Sequence, residues 1–544
     1  MATHEVRNQP PPLEGYNVFA QDQALAEGVI REGAGWAEAQ LLALGELAGT
    51  PTAIGWGADA NTHPPVLRTH DRFGHRIDEV VYHPSYHRLM AVAVERGLHA
   101  APWRPEQPRR GAHVARAAGF YVWSQVDAGH GCPISMTYSV LPALRPEPAL
   151  LALWRPRLTS LVYDPSPRPA GDKAGALAGM AMTEKQGGSD VRANTTVAVA
   201  AEGAYRLTGH KWFCSAPMGD LFLVLAQAPG GLTCFALPRW TPDGGRNPVY
   251  IQRLKDKLGN RSNASAEIEL DGAWADRVGE EGRGVATIIE MVNHTRLDCV
   301  IGAAAGMRQS LAQAAHHCAH RSAFGRHLAD QPLMAAVLAD LAVEAEAATT
   351  TMLRLAGAYD RADDDGHEAR FRRLGTAVAK YWLCKRHPAM AAEALECVGG
   401  NGYVEESMMP RLFRESPLNG IWEGSGNVIC LDVLRAMTRQ PESLEAYFAE
   451  VARAQGADRR LDDAVVDLRR QLTHTDDIEA RARRIVESMA LVLQGALLVR
   501  FGHPAVADAF CASRLGGDWG RAFGTLPTGA DLGAIVARAT PRLG

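Results

Sequence analysis

Met182-Thr183-Glu184-Lys185-Gln186-Gly187-Gly188-Ser189-Asp190 packs two adjacent glycines, two hydroxyls and two acids between an apolar run, residues 176–181, and an alternating one, residues 195–199. Adjacent glycines let backbone N–H groups come close to a bound group, and Thr183 and Ser189 add side-chain donors. Such a loop can cradle an anion or the polar edge of a flat cofactor. Taken alone it is equally a strand-connecting turn, because turns select the same residues. Its meaning depends on the rest of the chain.

Outward from this loop, residues 176 to about 278 alternate between short apolar segments and turn clusters. Examples are 195–200, 205–213, 221–227, 232–238 and 266–270, with Pro229-Gly230-Gly231 and Pro242-Asp243-Gly244-Gly245 between them. That pattern predicts a compact β domain. Residues 1 to about 170 read instead as helices broken by Pro/Gly-rich joints, with 22–33, 86–99, 111–126 and 133–144 at helical spacing and a linker at 166–171. After Gly282-Arg283-Gly284 the period is helical again, near 285–322, 331–361, 367–398 and 426–438. Asp330 before Pro332 reads as a helix start and Gly399-Gly400 as a stop. Long helices with brief connections indicate a bundle. From Pro441 onward the chain is helical and arginine-bearing, with a glycine-rich end. The expected class is α+β: an N-terminal helical domain (1–175), a β domain (176–282), a helical bundle (283–440) and a further C-terminal helical region (441–544).

At 544 residues there is ample length for several cores. A net charge of −4 with 47% hydrophobic residues describes an ordinary globular protein, and no global basicity advertises a nucleic-acid partner. Nine dispersed cysteines without a CxxC pair read as reduced core thiols, which makes the cytoplasm the default location and argues against disulfides or zinc. His316 and His317 lack metal-ligand spacing, so no metal is expected. No apolar run is long enough to span a bilayer or to serve as the core of a leader.

Four further stretches can carry chemistry. Gly209-His210-Lys211-Trp212-Phe213-Cys214-Ser215 closes a strand with aromatics and a hydroxyl; it either completes a core or faces a planar ring. Arg321-Ser322-Ala323-Phe324-Gly325, with Gln331 following, ends a helix. An arginine there suits the negative end of the dipole and suits bidentate pyrophosphate recognition equally. Glu396 to Tyr403 places Gly399, Gly400 and Gly402 where a helix stops, which reads first as a left-handed cap. Ile421-Trp422-Glu423-Gly424-Ser425-Gly426-Asn427 sets a carboxylate beside an aromatic at a glycine-rich helix start. Desolvation by apolar neighbours raises a carboxyl pKa and makes it a workable general base, whereas the helix N-terminus favours the anion.

In order and spacing these motifs resemble the acyl-CoA dehydrogenase superfamily over roughly residues 20–440. Lys185-Gln186, the stretch from Leu254 to Ser265 and residues 421–427 are similar to the branch of that superfamily tied to the bacterial response to DNA alkylation, which also carries extra helices after 440. The resemblance implies FAD. It assigns Met182, Thr183, Gly188, Ser189 and Ser215 to the polar edge of the flavin, and Phe213 to the position where most relatives stack a tryptophan. Trp422, Ser425 and Asn427 also fall to the cofactor. Gln331 is likewise assigned to the cofactor, and Arg321, Phe324 and the 399–403 loop, with Gly399 and Gly400, resemble elements reaching the FAD of a neighbouring subunit, which implies a homotetramer. Glu423 takes the position of the base that removes the α proton of an acyl-CoA. Asn293 and Arg296 stand near the acyl chain, and Trp422 replaces a tyrosine and narrows the pocket.

The branch implies two functions: weak α,β-dehydrogenation of a short or branched acyl-CoA, and association with double-stranded DNA. An ordinary dehydrogenase or flavin oxidase without DNA binding is the alternative. From 441 onward there are thirteen Arg, no Lys and fourteen Asp/Glu, so that region is not basic overall. Arg459, Arg460, Arg469, Arg470, Arg483, Arg484 and Arg514 are the candidate phosphate contacts, set against a solvated face with internal ion pairs.

Overall fold

A computed structural model describes residues 3–104, 110–474 and 476–542. The chain forms two compact units. One takes Gly55–Arg109 and Val126–Asp298; the other takes Met1–Ile54, Arg110–Gln125 and Cys299–Gly544.

In the first unit, β1 (Val66–His70) and β2 (Arg76–Val81) form an antiparallel hairpin. The helical reading of the first 170 residues did not include it. The turn is closed by Asp71, whose Oδ1 accepts from the N–H groups of Phe73 and His75, with Gly74 at φ +87°. The principal sheet has seven strands: β3 (Ala178–Ala181), β4 (Val197–Ala201), β5 (Ala204–Ser215), β6 (Leu221–Ala228), β7 (Gly231–Pro238), β8 (Val249–Leu254) and β9 (Ser265–Val278). The strand path runs β3-β6-β4-β5-β9-β7 and returns on itself through a β6–β7 pairing, so few edges stay open. Alternation explains the inside: Leu207 and Cys214 of β5 join Val224, Phe235, Ile268 and Ala273 in one buried cluster. The helix Gly131–Leu144 is buried along its whole length and packs on β3. There Thr137 Oγ1 accepts from the N–H of Ala178 at 3.0 Å.

Two bulges shape the long β5–β9 pair. One lies at Gly272 (φ +69°) and the other at Trp212–Phe213, where three steps on β5 match two on β9. A bulge turns a side chain away from its alternation, and Phe213 is accordingly 48% exposed.

In the second unit the long helices are Gly284–His320 (from residue 299 onward), Pro332–Arg361, Gly366–Val398 and Gly426–Arg439, followed by Pro441–Ala452, Arg459–Thr473, Ile478–Phe501, Pro504–Phe510 and Leu532–Ala539. Pro332 opens its helix from Gln331, while Asp330 belongs to a short 3-10 turn before it. Arg459–Thr473 packs on Ile478–Phe501, and the other helices after 440 pack on Pro332–Arg361, Gly366–Val398 and Gly426–Arg439. Buried ion pairs fasten them. Arg354 donates to both oxygens of Glu368 (2.8 and 2.9 Å) and both of Glu450 (3.0 and 2.8 Å), and Glu450 also accepts from Arg500 at 2.7 Å. Arg514 pairs with Asp340 and Glu344, and Arg538 with Glu346. All nine cysteines are free and buried, and no described helix is long and apolar enough to cross a membrane.

Glu450 sits at the hub of this network. Burial pushes its carboxyl up, but hydrogen bonds and charge from Arg354, Arg500 and Arg453 outweigh that and bring it down to about 2. Removing one partner from a buried pair costs about 3–5 kcal/mol, because the other charge stays desolvated. Glu450→Gln is therefore expected to lower the unfolding free energy by about that amount, read from urea titrations followed by circular dichroism.

Candidate active site

The loop after β3 is organised by Glu184, whose side chain has no exposed surface. Its carboxylate accepts from Thr195 N–H (2.7 Å), Thr195 Oγ1 (3.1 Å), Thr196 N–H (3.2 Å), Thr196 Oγ1 (2.6 Å) and Gln186 Nε2 (2.8 Å), and pairs with Lys211 Nζ at 2.7 Å. Lys211 also donates to the carbonyl of Leu225 at 2.7 Å, so one ion pair ties the loop to β4, β5 and β6. The chain reverses between Glu184 and Gly187, where φ is +145°. A Cβ on Gly188 would lie 2.4 Å from Thr183 Oγ1, so only glycine allows this close approach.

The loop leans on the bulged end of β5. Trp212 N–H donates to the carbonyl of Thr183 at 2.8 Å, Lys185 N–H to His210 Nε2 at 3.0 Å, and Asn194 Nδ2 to the carbonyl of Met182 at 2.9 Å. Met182, Thr183, Gly188 and Phe213 are thereby gathered at one place, with Ser189 exposed on the same loop. Lys255 Nζ lies 3.1 Å from the Trp212 ring centroid and 4.8 Å from that of Phe213. Ser215 Oγ is 3.4 Å from Ser265 Oγ, which accepts from Lys257 Nζ at 3.1 Å. Next to Ser262, the buried side-chain amide of Asn263 has neither its oxygen nor its nitrogen hydrogen-bonded among the described residues. A buried amide in that state asks for a polar partner. An outward aromatic ring, two hydroxyls and an orphaned amide fit a planar heterocycle with a polar rim. Asn263 was not singled out from sequence; its signal there is the turn it follows, at Asn260 (φ +56°).

Asn293 and Arg296 stand one turn apart near the start of Gly284–His320, with Arg296 buried and Asn293 half-buried. In the same unit His294 meets the Tyr138 ring edge-on and the Trp103 ring at a tilt, at 5.4 and 5.6 Å between ring centroids.

The second unit carries the remaining candidates. Glu423 adopts φ +58° and Gly424 φ +108°, directly before the helix Gly426–Arg439, with Ser425 as its N-cap. A left-handed conformation in a residue with a Cβ is strained and must be held by its surroundings. Trp422 Nε1 donates to Asn419 Oδ1 at 2.8 Å, and the buried Lys380 ammonium donates to the carbonyls of Trp422 (2.8 Å) and Gly424. Asn427 Oδ1 accepts from Arg483 Nε at 2.8 Å.

Arg321 follows the end of its helix and donates through Nη1 to the carbonyl of Asn8. Asn8 also bonds both the N–H and the carbonyl of Ser322, each at 2.7 Å. Strands β10 (Ser322–Ala323) and β11 (Arg326–His327) form a short hairpin with Phe324 at its tip, φ +52° and 99% exposed. Gln331 Nε2 braces it by donating to the carbonyl of Ala323 at 3.0 Å. Gly399 (φ +66°) and Gly400 lie in the 3-10 turn Gly399–Gly402, and Asn401 in that turn donates to Gln9 Oε1 at 3.1 Å. Residues 8 and 9 thus tie together two segments 79 residues apart in the chain, at Ser322 and Asn401.

One expected phosphate contact is corrected. The Arg514 side chain has no exposed surface and is spent on Asp340 and Glu344, so it offers nothing to a phosphate. Arg460 is engaged by Asp458 and Asp508, Arg470 by Asp467, and Arg459 lies 3.6 Å from Asp463. Arg469 rests over the Phe448 ring at 3.8 Å, and Arg484 is exposed.

The Glu184–Lys211 pair sets a pH dependence. Burial raises the Glu184 carboxyl, but hydrogen bonds from Lys211, Thr196 and Thr195 outweigh this and bring it down from 4.5 to about 2. A folded value below the unfolded one means the stabilisation is complete above about pH 4.5 and is lost as the pH falls through about 2. Lys211→Met should lower the thermal midpoint at neutral pH and flatten its fall between pH 4.5 and 2, as read by scanning calorimetry. A wild-type-like acid profile in that variant would show that the pair does not hold the loop.

Family models match in three consecutive blocks: adaptive response protein AidB N-terminal domain over residues 8–165, acyl-CoA dehydrogenase middle domain over 179–273, and acyl-CoA dehydrogenase C-terminal domain over 282–438. The Escherichia coli (strain K12) protein named as the acyl-CoA dehydrogenase AidB is 46% identical over 94% of either chain. Acyl-CoA dehydrogenase family member 11 of Caenorhabditis elegans is 30% identical over 81% of this chain and 77% of its own. Among solved structures, Caenorhabditis elegans ACDH-11 in complex with C11-CoA has a TM-score of 0.87 at 26% identity, covering 94% of each chain. Bd2924 in its apo form has a TM-score of 0.83 at 29% identity, covering 91% of this chain and 99% of its own. The chain belongs to the acyl-CoA dehydrogenase family, in its AidB branch.

Proposed function

We propose that this protein is an FAD-dependent dehydrogenase of a short or branched acyl-CoA, with Glu423 as its catalytic base. The observation that carries the reading is the strained Glu423 turn, held by Lys380 and flanked by Trp422 at a helix start. The solved relative in complex with C11-CoA supports an acyl-CoA as the ligand. FAD, when bound, supplies the acceptor for the hydride that leaves the β carbon of the acyl chain. The Glu423 carboxylate takes the α proton, so one C–H pair becomes the new α,β double bond and the proton stays on the carboxyl. The Glu423 backbone N–H donates to the thioester oxygen and stabilises the charge that grows there. Thr183, Ser189 and Ser215 would supply hydroxyls to the polar rim of bound FAD, Met182 and Gly188 backbone groups and Phe213 a ring face; Trp422, Ser425 and Asn427 are assigned to the cofactor as well. Arg296 and Asn293 line the acyl end, where a neutral Asn293 suits an uncharged chain.

Arg321, Phe324, Gln331, Gly399 and Gly400 serve the FAD of a neighbouring subunit in a homotetramer. The support is that Phe324 is 99% and Tyr403 81% exposed in the single chain, on the two segments tied by residues 8 and 9. The functional division follows residues 1–175, 176–282, 283–440 and 441–544, in the cytoplasm. Purified protein should be yellow and should bleach on anaerobic addition of acyl-CoA. Glu423→Gln should keep its flavin and slow bleaching by about 10²–10⁴-fold; wild-type bleaching in that variant would place the base elsewhere.

A second reading, association with double-stranded DNA in the alkylation response, draws on the adaptive-response name of the N-terminal family model and on exposed Arg459, Arg469, Arg470, Arg483 and Arg484. Ion pairing of Arg459 and Arg470 and the excess of acids after 440 weigh against it. Truncation does not test it cleanly, because the region is fastened to the bundle by buried charges. Replacing Arg469, Arg470 and Arg484 together by Gln should weaken binding and reduce the log–log salt slope by about 0.9 per lost phosphate contact. An unchanged slope in gel shifts would remove these residues from the interface.

A further inference from the structure

Lys380 lies in the helix Gly366–Val398, 1% exposed, and among the described residues the hydrogen bonds of its ammonium go to main-chain carbonyls and to no carboxylate. A buried ammonium costs several kcal/mol unless its charge is answered. What answers it here is backbone: the carbonyls of Trp422 and Gly424, the residues on either side of Glu423. Both acceptors therefore belong to one tight turn, and that turn is the strained one.

Peptide geometry turns this into a statement about direction. In a trans peptide the C=O and the N–H of the same unit point opposite ways, and no cis peptide occurs among the described residues. With the Trp422 carbonyl drawn to Lys380, the Glu423 N–H must leave the turn on the far side from the helix Gly366–Val398. The Gly424 carbonyl does the same for the Ser425 N–H. The positive charge also polarises both peptide units, which makes each N–H a stronger donor. We propose that Lys380 is a positioning residue for the reaction: by holding the carbonyls of Trp422 and Gly424, it aims and strengthens the Glu423 N–H that polarises the substrate thioester. This rests on the reading of Glu423 given above. It adds a residue that touches neither the substrate nor the cofactor and acts only through the backbone of the base.

The test uses flavin-loaded protein and a non-reactive acyl-CoA thioester analogue labelled with ¹³C at its carbonyl. In the wild type the bound carbonyl stretch should fall below its frequency in solution, the signature of a strong donor. In Lys380→Met the stretch should return toward the solution value, and the limiting rate of flavin reduction should drop about 10²-fold, the loss expected of one oxyanion donor, with half-saturation by acyl-CoA unchanged. Lys380→Arg, which keeps charge and donors, should recover most of both. Glu423→Gln run alongside keeps the backbone N–H, so it should retain the lowered stretch while losing reduction. If Glu423→Gln reduces flavin normally, the base assignment fails and Lys380 is judged on the carbonyl frequency alone. A Lys380→Met protein with wild-type frequency and rate overturns the proposal. Should that variant lose its flavin, Lys380→Arg decides: flavin-loaded and with a solution-like frequency, it overturns the proposal as well.

Discussion

The Glu184–Lys211 pair is the constraint on which the strand unit depends. Its carboxylate answers donors from a loop, a strand start and a neighbouring strand, and its ammonium reaches a further carbonyl on β6. An ion pair with no exposed surface gains little over an apolar pair of the same shape, because desolvation consumes most of its attraction. What it adds is direction. Six hydrogen bonds to one carboxylate leave the Met182–Asp190 loop one way to lie against the bulged end of β5, with Thr183 beneath Gly188. Hydrophobic burial makes the sheet; this pair decides where its loop goes.

The helical unit uses charge in the same manner at a different place. Glu423 occupies a conformation that costs of order 1–3 kcal/mol, and Lys380 offsets it with bonds to the carbonyls on either side. In both units a lysine from a regular element is sunk beneath an irregular one. The irregular backbone is thereby as well determined as the elements around it, which is what a site built from loops requires.

How much of this was legible in the sequence follows from how local each cause is. The helices 284–320, 366–398 and 426–439 were readable to within a residue or two, because apolar period and Pro/Gly punctuation are local. The hairpin of β1 and β2 was not: β1 is half-buried or exposed throughout, so no apolar alternation marked it, and Asp71 closes the turn through its side chain. The Met182–Asp190 loop and the Glu423 stretch were visible as residue types. Glu184 was quoted as an acid in a loop, yet its role depends on Lys211, 27 residues on. Arg514 was misread because its partners, Asp340 and Glu344, stand 174 and 170 residues away. Lys380 left no trace at all, since its partners are main-chain carbonyls, which every residue has.

The network around Arg354 and Arg514 has a historical corollary. Residues 340, 344, 346 and 354 of the bundle are matched to charges contributed from beyond residue 440: Arg514, Arg538 and Glu450. A lineage that discarded the extension in one event would leave Asp340 and Glu346 without their arginines, and Arg354 with Glu368 alone. Shedding it requires several apolar replacements beforehand, each unfavourable while the extension is still there. The appended helices therefore behave as a ratchet: once such pairs have formed, lengthening the chain is far easier to do than to undo.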